Sequence, residues 1–244
     1  MYTVKILHEF VPSRNFLKIA EETKNLVDGW NVTDSAAGRP APSGTAVGCV
    51  LKTKYPDKTV IPVSVLRYKG PVEVGGLALA GEAIRLDGLV LTMGDPPKYG
   101  GPIEMFKRSE EARDFLRRKV RVKSLKIGCL LTPRRSVKDI IVRVRDAWDF
   151  FFFMRLEEKS LPLLKRISEE CKRLKKSIYA YFVVETPRNT EVIRMIGWPV
   201  TSDMKHAEAF ASMLEGVVDG IIATCAGDYK GDIELLKSLQ GVRG

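Results

Sequence analysis

Histidine, glutamine and paired cysteines are what this 244-residue sequence has least of. His8 and His206 stand far apart, and Cys49, Cys129, Cys171 and Cys225 are widely spaced with no Cys-x-x-Cys pair. That spacing suggests no zinc site, and in a reducing compartment it leaves four small buried hydrophobes in place of disulfides. No apolar run approaches the ~20 residues of a membrane span, and no basic-then-apolar leader opens the chain, so a cytoplasmic protein is expected. Walker, GxGxxG, HExxH and GxSxG signatures are missing. One glutamine and four asparagines beside abundant Lys, Arg and Glu give a composition resembling that of hyperthermophile proteins.

What is present is an ordinary 45% of apolar residues, enough for a sizeable core. The net charge of +10 sits largely in helix-like stretches such as "KRSEEARDFLRRKVRVK" and "LLKRISEECKRLKKS". Acids are interleaved there and aromatics are not, which describes a solvated helix face and argues against nucleic acid as a partner.

Short β-rich runs alternate with amphipathic stretches along the whole chain. The strands are read as "TVKILHEF", "GWNVTDS", "TVIPVSVL", "GLVLTMG", "SLKIGCLL", "WDFFFFMR", "IYAYFVVE" and "DGIIATCA". Helices are predicted over 16–27, 43–54, 73–86, 104–120, 137–147, 161–176, 203–216 and 232–240. Eight strands, each followed by a helix, predict a single (β/α)8 TIM barrel spanning residues 1–244, with a doubly wound open sheet as the rival. The near-continuous apolar strands suit a parallel sheet covered on both faces.

Polar residues gather where the predicted strands end, at Glu9, Thr33-Asp34-Ser35, Ser64 with Arg67, Gly94-Asp95, Thr132, Arg155, Glu185-Thr186 and Thr224. In a barrel those ends form the rim where chemistry is placed. "VLTMGDPPKYGG" turns sharply at Gly94 and holds the Asp95 carboxylate at a strand tip. With Glu9 it supplies two carboxylates for proton transfer, one protonated and one ionised. Arg67 and Lys69 read either as a phosphate contact or as a solvated loop. The four phenylalanines from Phe150 to Phe153 read as core, with the last of them able to meet a flat heterocycle at the mouth. Trp198 and Met204 lie in the connection after the seventh strand, where a ligand could be met.

In order, these segments resemble the methylenetetrahydrofolate reductase family. "HEFVPSR" resembles its E-F-x-P-P-R opening, "NVTDSAAGRP" its V-T-D segment, and "VLTMGDPPKYG" its L-x-G-D-P motif. "PVTSDMKHAEAFA" resembles the stretch after its seventh strand. The resemblance implies a flavoprotein of one-carbon metabolism and methionine biosynthesis that reduces a methylene-tetrahydrofolate, or a related tetrahydropterin, to the methyl form. FAD would be the cofactor, with FMN or no flavin as variants, and NAD(P)H the electron donor. Glu9 would protonate the folate ring system and Asp95 would stand ionised beside the flavin. Thr33, Ser64, Arg67, Gly94 and Thr132 would hold the cofactor, and Met154 and Met204 would face the substrate. Val63, Met93, Met154 and Met204 depart from the family's pattern, which sustains a second reading as a flavin-free accessory subunit. A homo-oligomer or a partner reductase subunit is compatible with either.

Overall fold

The computed structural model describes residues 4–242 and is a (β/α)8 barrel. The strands are β1 (Lys5–Phe10), β2 (Gly29–Val32), β3 (Thr59–Val65), β4 (Leu89–Thr92), β5 (Ile127–Leu131), β6 (Phe150–Phe153), β7 (Ser177–Glu185), β8 (Ser202–Asp203) and β9 (Gly220–Thr224). They run in the sheet order β6-β5-β4-β3-β2-β1-β9-β7-β8, and a further β6–β7 pairing joins the ends of the ring. The two-residue β8 pairs in parallel with the last two residues of β7, outside the ring, and the remaining eight strands are the predicted eight. The helices are α1 (Phe16–Thr23), α2 (Gly44–Lys54), α3 (Pro71–Ile84), α4 (Ser109–Phe115), α5 (Val137–Arg145), α6 (Leu161–Arg173), α7 (Thr190–Ile196), α8 (Ala207–Ser212) and α9 (Tyr229–Ser238). No helix among the described residues is long and apolar enough to cross a membrane.

Helix ends follow local chemistry. Ser43 and Ser136 cap α2 and α5 by accepting from backbone N–H groups three residues on, and Pro71 and Pro162 sit in first turns, where no donor is lost. Three expectations are corrected. The helix predicted over 104–120 begins only at Ser109 and widens into a π-type turn over Leu116–Val120. The helix predicted over 203–216 is shorter, Ala207–Ser212, and a separate helix, α7, precedes it. The last helix starts at Tyr229, three residues early.

The described residues fall into two compact units: 4–8, 23–28 and 130–242, and 9–22 and 29–129. In the second, β2, β3 and β4 pair in parallel, with Trp30 opposite Val60 and Val63 opposite Val90. Trp30 packs edge-on against Phe10 and lies 5.3 Å from the Tyr55 ring. In the first unit β9 lies between β1 and β7, and β7 also pairs with β6.

Parallel register assigns faces in that unit. His8 contacts Asp232 of α9, so it faces the helices, and its neighbours in register, Ala223 and Phe182, share that side. Leu7, Ile222 and Tyr181 therefore face the opposite way, as do Tyr179, Phe152 and Phe150. The phenylalanine run divides accordingly. Phe150 and Phe152 pack on Tyr179, whereas Phe151 and Phe153 point to the helix side. Phe153 is fully buried there, so the last ring of the run does not reach the mouth.

Each unit has its own polar tie. In the first, Asn189 is fully buried; its carbonyl accepts from the Thr186 N–H at 2.8 Å, and its amide donates to the Val184 and Cys225 carbonyls. In the second, the Glu82 carboxylate at the end of α3 accepts from the Lys123 N–H at 2.7 Å and from the Ser124 N–H and hydroxyl. These bonds hold its pKa at about 2, the Ser124 N–H contributing most.

Asn189→Ala would leave a buried N–H and two carbonyls unpaired and is expected to cost about 3 kcal/mol or more in denaturant unfolding. Glu82 is depressed from its ordinary value, so its contribution is complete above about pH 4.5 and is lost as pH falls towards 2. Glu82→Gln is expected to flatten the melting temperature across that window, and an unchanged acid profile would exclude the tie.

Candidate active site

Glu9 is next to last in β1, and alternation sets its direction. His8 before it and Phe10 after it both face the helix side, so the Glu9 carboxyl points into the barrel. It is 8% exposed. On β2, Asn31 is fully buried and donates to the Ile61 carbonyl at 2.9 Å.

In the second unit the loops leaving β2, β3 and β4 are tied to one another. Asp34 accepts from the Val65 N–H at 2.9 Å and forms a short ion pair with Lys69, whose ammonium also donates to the Val65 carbonyl. Both side chains are buried, 4% and 7% exposed. The Tyr68 hydroxyl donates to the Asp95 carbonyl, and the Ile103 N–H donates to the Arg67 carbonyl at 2.9 Å. Burial, and then the nearby Asp95 charge, raise the Tyr68 pKa, so this phenol stays a donor. Gly94 has φ +70°, and a Cβ there would lie 2.4 Å from Val65 Cγ1, so this turn requires glycine. A cleft of about 240 Å³ opens among these loops, lined by Ser35, Arg39, Pro40, Tyr68, Pro97 and Tyr99 among others. Pockets for drug-sized ligands run to roughly 300–1,000 Å³, so this cleft suits a small group.

The structure disperses the remaining sequence-predicted residues. Ser64 shares the face of Pro62, which packs against Gly48 of α2, so its hydroxyl is buried on the helix side without a partner. Thr33 Oγ1 is also buried without a hydrogen bond. Arg67 pairs with Glu104 at 3.2 Å while its Nε stays unpartnered. Asp95 is exposed. In the first unit, the Thr132 hydroxyl accepts from the Arg134 N–H at 3.4 Å and closes its own turn. Met154 and Met204 are half-buried. Lys69 fits neither sequence reading, because it is inside the protein and engaged by Asp34. No local signal announces that pair, whose members lie 35 residues apart.

The rim of the first unit carries a second constellation. Arg155 follows β6 with φ +62° and donates to the Gly197 carbonyl at 2.6 Å. Trp198, the next residue, packs edge-on against Tyr181 at 5.7 Å. Among the described residues no group of three or more His, Cys, Asp or Glu side chains could hold a metal ion.

No family model matches the chain, and no curated protein matches it. Solved structures do share its fold. A protein from Aquifex aeolicus VF5 is 15% identical with a TM-score of 0.63, over 99% of this chain and 94% of that one. A tryptophan synthase alpha-subunit from the hyperthermophile Pyrococcus furiosus is 10% identical with a TM-score of 0.65, over 99% of this chain and all of that one. Tryptophan synthase from M. tuberculosis is 12% identical with a TM-score of 0.60, over 99% and 90% of the two chains. At these identities the likeness establishes the (β/α)8 fold.

These findings correct the expectation of a methylenetetrahydrofolate reductase. Solved structures that share the fold include tryptophan synthase alpha-subunits, and no family model places the chain among the methylenetetrahydrofolate reductases or any other family. With the family go the oxidoreductase activity, the FAD and NAD(P)H cofactors and the place in methionine biosynthesis. The physical reason is that Glu-Phe and Gly-Asp-Pro at strand ends serve any barrel rim. The first ends an inward-outward alternation, and the second makes a sharp exit turn.

Lys69→Met is expected to destabilise the fold by about 3–5 kcal/mol, because it strands a buried carboxylate. Adding Asp34→Asn should recover part of that loss in chemical denaturation. A double-variant loss equal to the sum of the Lys69→Met and Asp34→Asn losses would show that the two residues act separately.

Proposed function

We propose that the chain is a barrel enzyme of the lyase type that moves a proton on a small substrate, with Glu9 as general acid–base. The observation that carries this is the carboxyl of Glu9, turned into the barrel at the C-terminal end of β1 and nearly closed off from water. In such a step Glu9 takes a proton from the substrate and returns it to the atom whose bond is cleaved, with no net oxidation or reduction. The shared fold with tryptophan synthase alpha-subunits supports this class over a reductase. One of those neighbours comes from a study of mutual activation in a tryptophan synthase α2β2 complex. On this reading the present chain too works beside a partner subunit.

The test is growth without tryptophan of a strain lacking its own tryptophan synthase alpha-subunit. The wild-type chain is expected to restore growth. Glu9→Gln, expressed and folded to the same level, should fail to do so, as loss of a general acid–base costs roughly 10²–10⁴ in rate. Failure of the wild-type chain would reject this substrate, and equal growth with Glu9→Gln would remove Glu9 from the chemistry.

A further inference from the structure

The helix α3 carries Gly75, Gly76 and Gly81, and glycine inside a helix costs stability relative to alanine. Packing within the chain accounts for two of them. A Cβ on Gly75 would lie 3.2 Å from Val120 Cγ2, and one on Gly81 would lie 3.0 Å from Leu86 Cδ1. A Cβ on Gly76 would meet nothing within 4 Å. Nothing in the chain's own packing calls for a missing side chain there.

Gly76 belongs to an outward stripe. Val72, Gly76, Leu79 and Ala83 recur at helical spacing and are exposed, Val72 at 90% and Leu79 at 47%, with Ala80 and Ile84 beside them. Val74, Gly75, Ala78 and Gly81 are the buried face. The charged residues of the helix are Glu73 and Glu82, and Glu82 is engaged by Lys123 and Ser124. Beside α3 packs α2, which adds the exposed Ala46 and Val50 and carries no charge before Lys52. A chain of net charge +10 therefore keeps this outer surface apolar and nearly uncharged, so two copies meet the least repulsion there.

The 14 residues of α3 span about 21 Å, and with a neighbouring helix ~8–10 Å away the pair presents on the order of 400 Å². Stable interfaces cover about 800 Å² of each partner, with an apolar centre inside a polar rim. The surface has the size of such a centre.

The stripe is also complementary to itself. With two copies of α3 antiparallel about a two-fold axis between Leu77 and Ala78, Leu79 of each copy falls opposite Gly76 of the other. Val72 then falls opposite Ala83, so large meets small in both pairs, reciprocally. The same order brings Glu73, in the first turn, within a turn of Arg85, just past the helix end of the other copy. Both side chains are exposed and form no ion pair among the described residues. Parallel order would instead set Glu73 against Glu73 and Arg85 against Arg85, with the helix dipoles aligned.

We propose that two copies of this chain form a dimer by packing α3 against α3 in antiparallel order. Leu79 of each copy fills the space over Gly76 of the other, and α2 completes the surface. The inference uses neither Glu9 nor the lyase assignment.

The test is sedimentation equilibrium of the full chain at micromolar concentration, where a particle of twice 27.3 kDa is expected. Leu79→Glu sets like charges near the axis and should weaken the dimer about a hundredfold or more. Gly76→Leu has room within one copy but fills the place of Leu79 from the other, and should weaken it about tenfold or more. Val72→Glu, at a nearly fully exposed first-turn position that favours an acid, should fold normally and weaken the dimer as well. Glu73→Arg alone should weaken it, and adding Arg85→Glu should recover most of that loss.

A wild-type chain that sediments at 27.3 kDa overturns the proposal, whatever other protein it binds. So does a dimer whose affinity is unchanged in Gly76→Leu and Leu79→Glu, because its contacts then lie elsewhere. Should Leu79→Glu fail to fold, unchanged affinity in Val72→Glu has the same meaning. A double charge swap no tighter than Glu73→Arg would overturn the antiparallel order.

Discussion

In a parallel ladder, residues in register point the same way, and each step along a strand reverses direction. Every assignment of a rim residue depends on this constraint. Because His8 meets Asp232 on the helix side and Phe10 meets Trp30, the residue between them has one direction left. The same rule sends Phe150, Phe152, Tyr179 and Tyr181 into one column and keeps Phe151 and Phe153 under the helices. It also takes Ser64, a rim candidate by sequence, to the side of Pro62 and α2.

Polar ties then fix the loops in which the ladder ends. Asn189 joins the exits of β7 and β9, and the Asp34–Lys69 pair joins those of β2 and β3. Buried polar groups of this kind are costly unless every partner is present, so they specify one loop arrangement and reject others. Thr201 does the same for the segment carrying Trp198, holding it to Val183 and Leu156. Trp198, at the end of the aromatic column, thus rests on a rim segment whose backbone has little freedom.

The resemblance to a reductase family rested on short matches at strand ends. Such matches encode what a barrel needs locally: a strand that stops, a glycine with positive φ, and an acid at the exit. Gly94 shows the difficulty. Its φ of +70° and the nearness of Val65 account for glycine without reference to any ligand. The acid after it is exposed, and its backbone carbonyl, not its carboxylate, receives the Tyr68 hydroxyl. A motif that backbone geometry already explains carries little information about a cofactor.

By itself the sequence indicated eight β-rich segments alternating with helices and favoured a (β/α)8 barrel over an open sheet, because period-two and period-3.6 apolar patterns are local properties of the chain, whereas the β6–β7 pairing that closes the ring and the additional helix α7 appeared only in the structure. It also determined that acids, hydroxyls and Arg155 gather at strand ends. Only the tertiary structure decided which of these look inward, that Lys69 is spent on Asp34, and that Arg155 lies against the Gly197 carbonyl beside Trp198. Those pairings join residues 35 and 42 positions apart, and burial decides them after the sheet has formed. Local pattern fixes what a segment becomes, whereas the partner a side chain meets depends on register and loop closure across the whole fold.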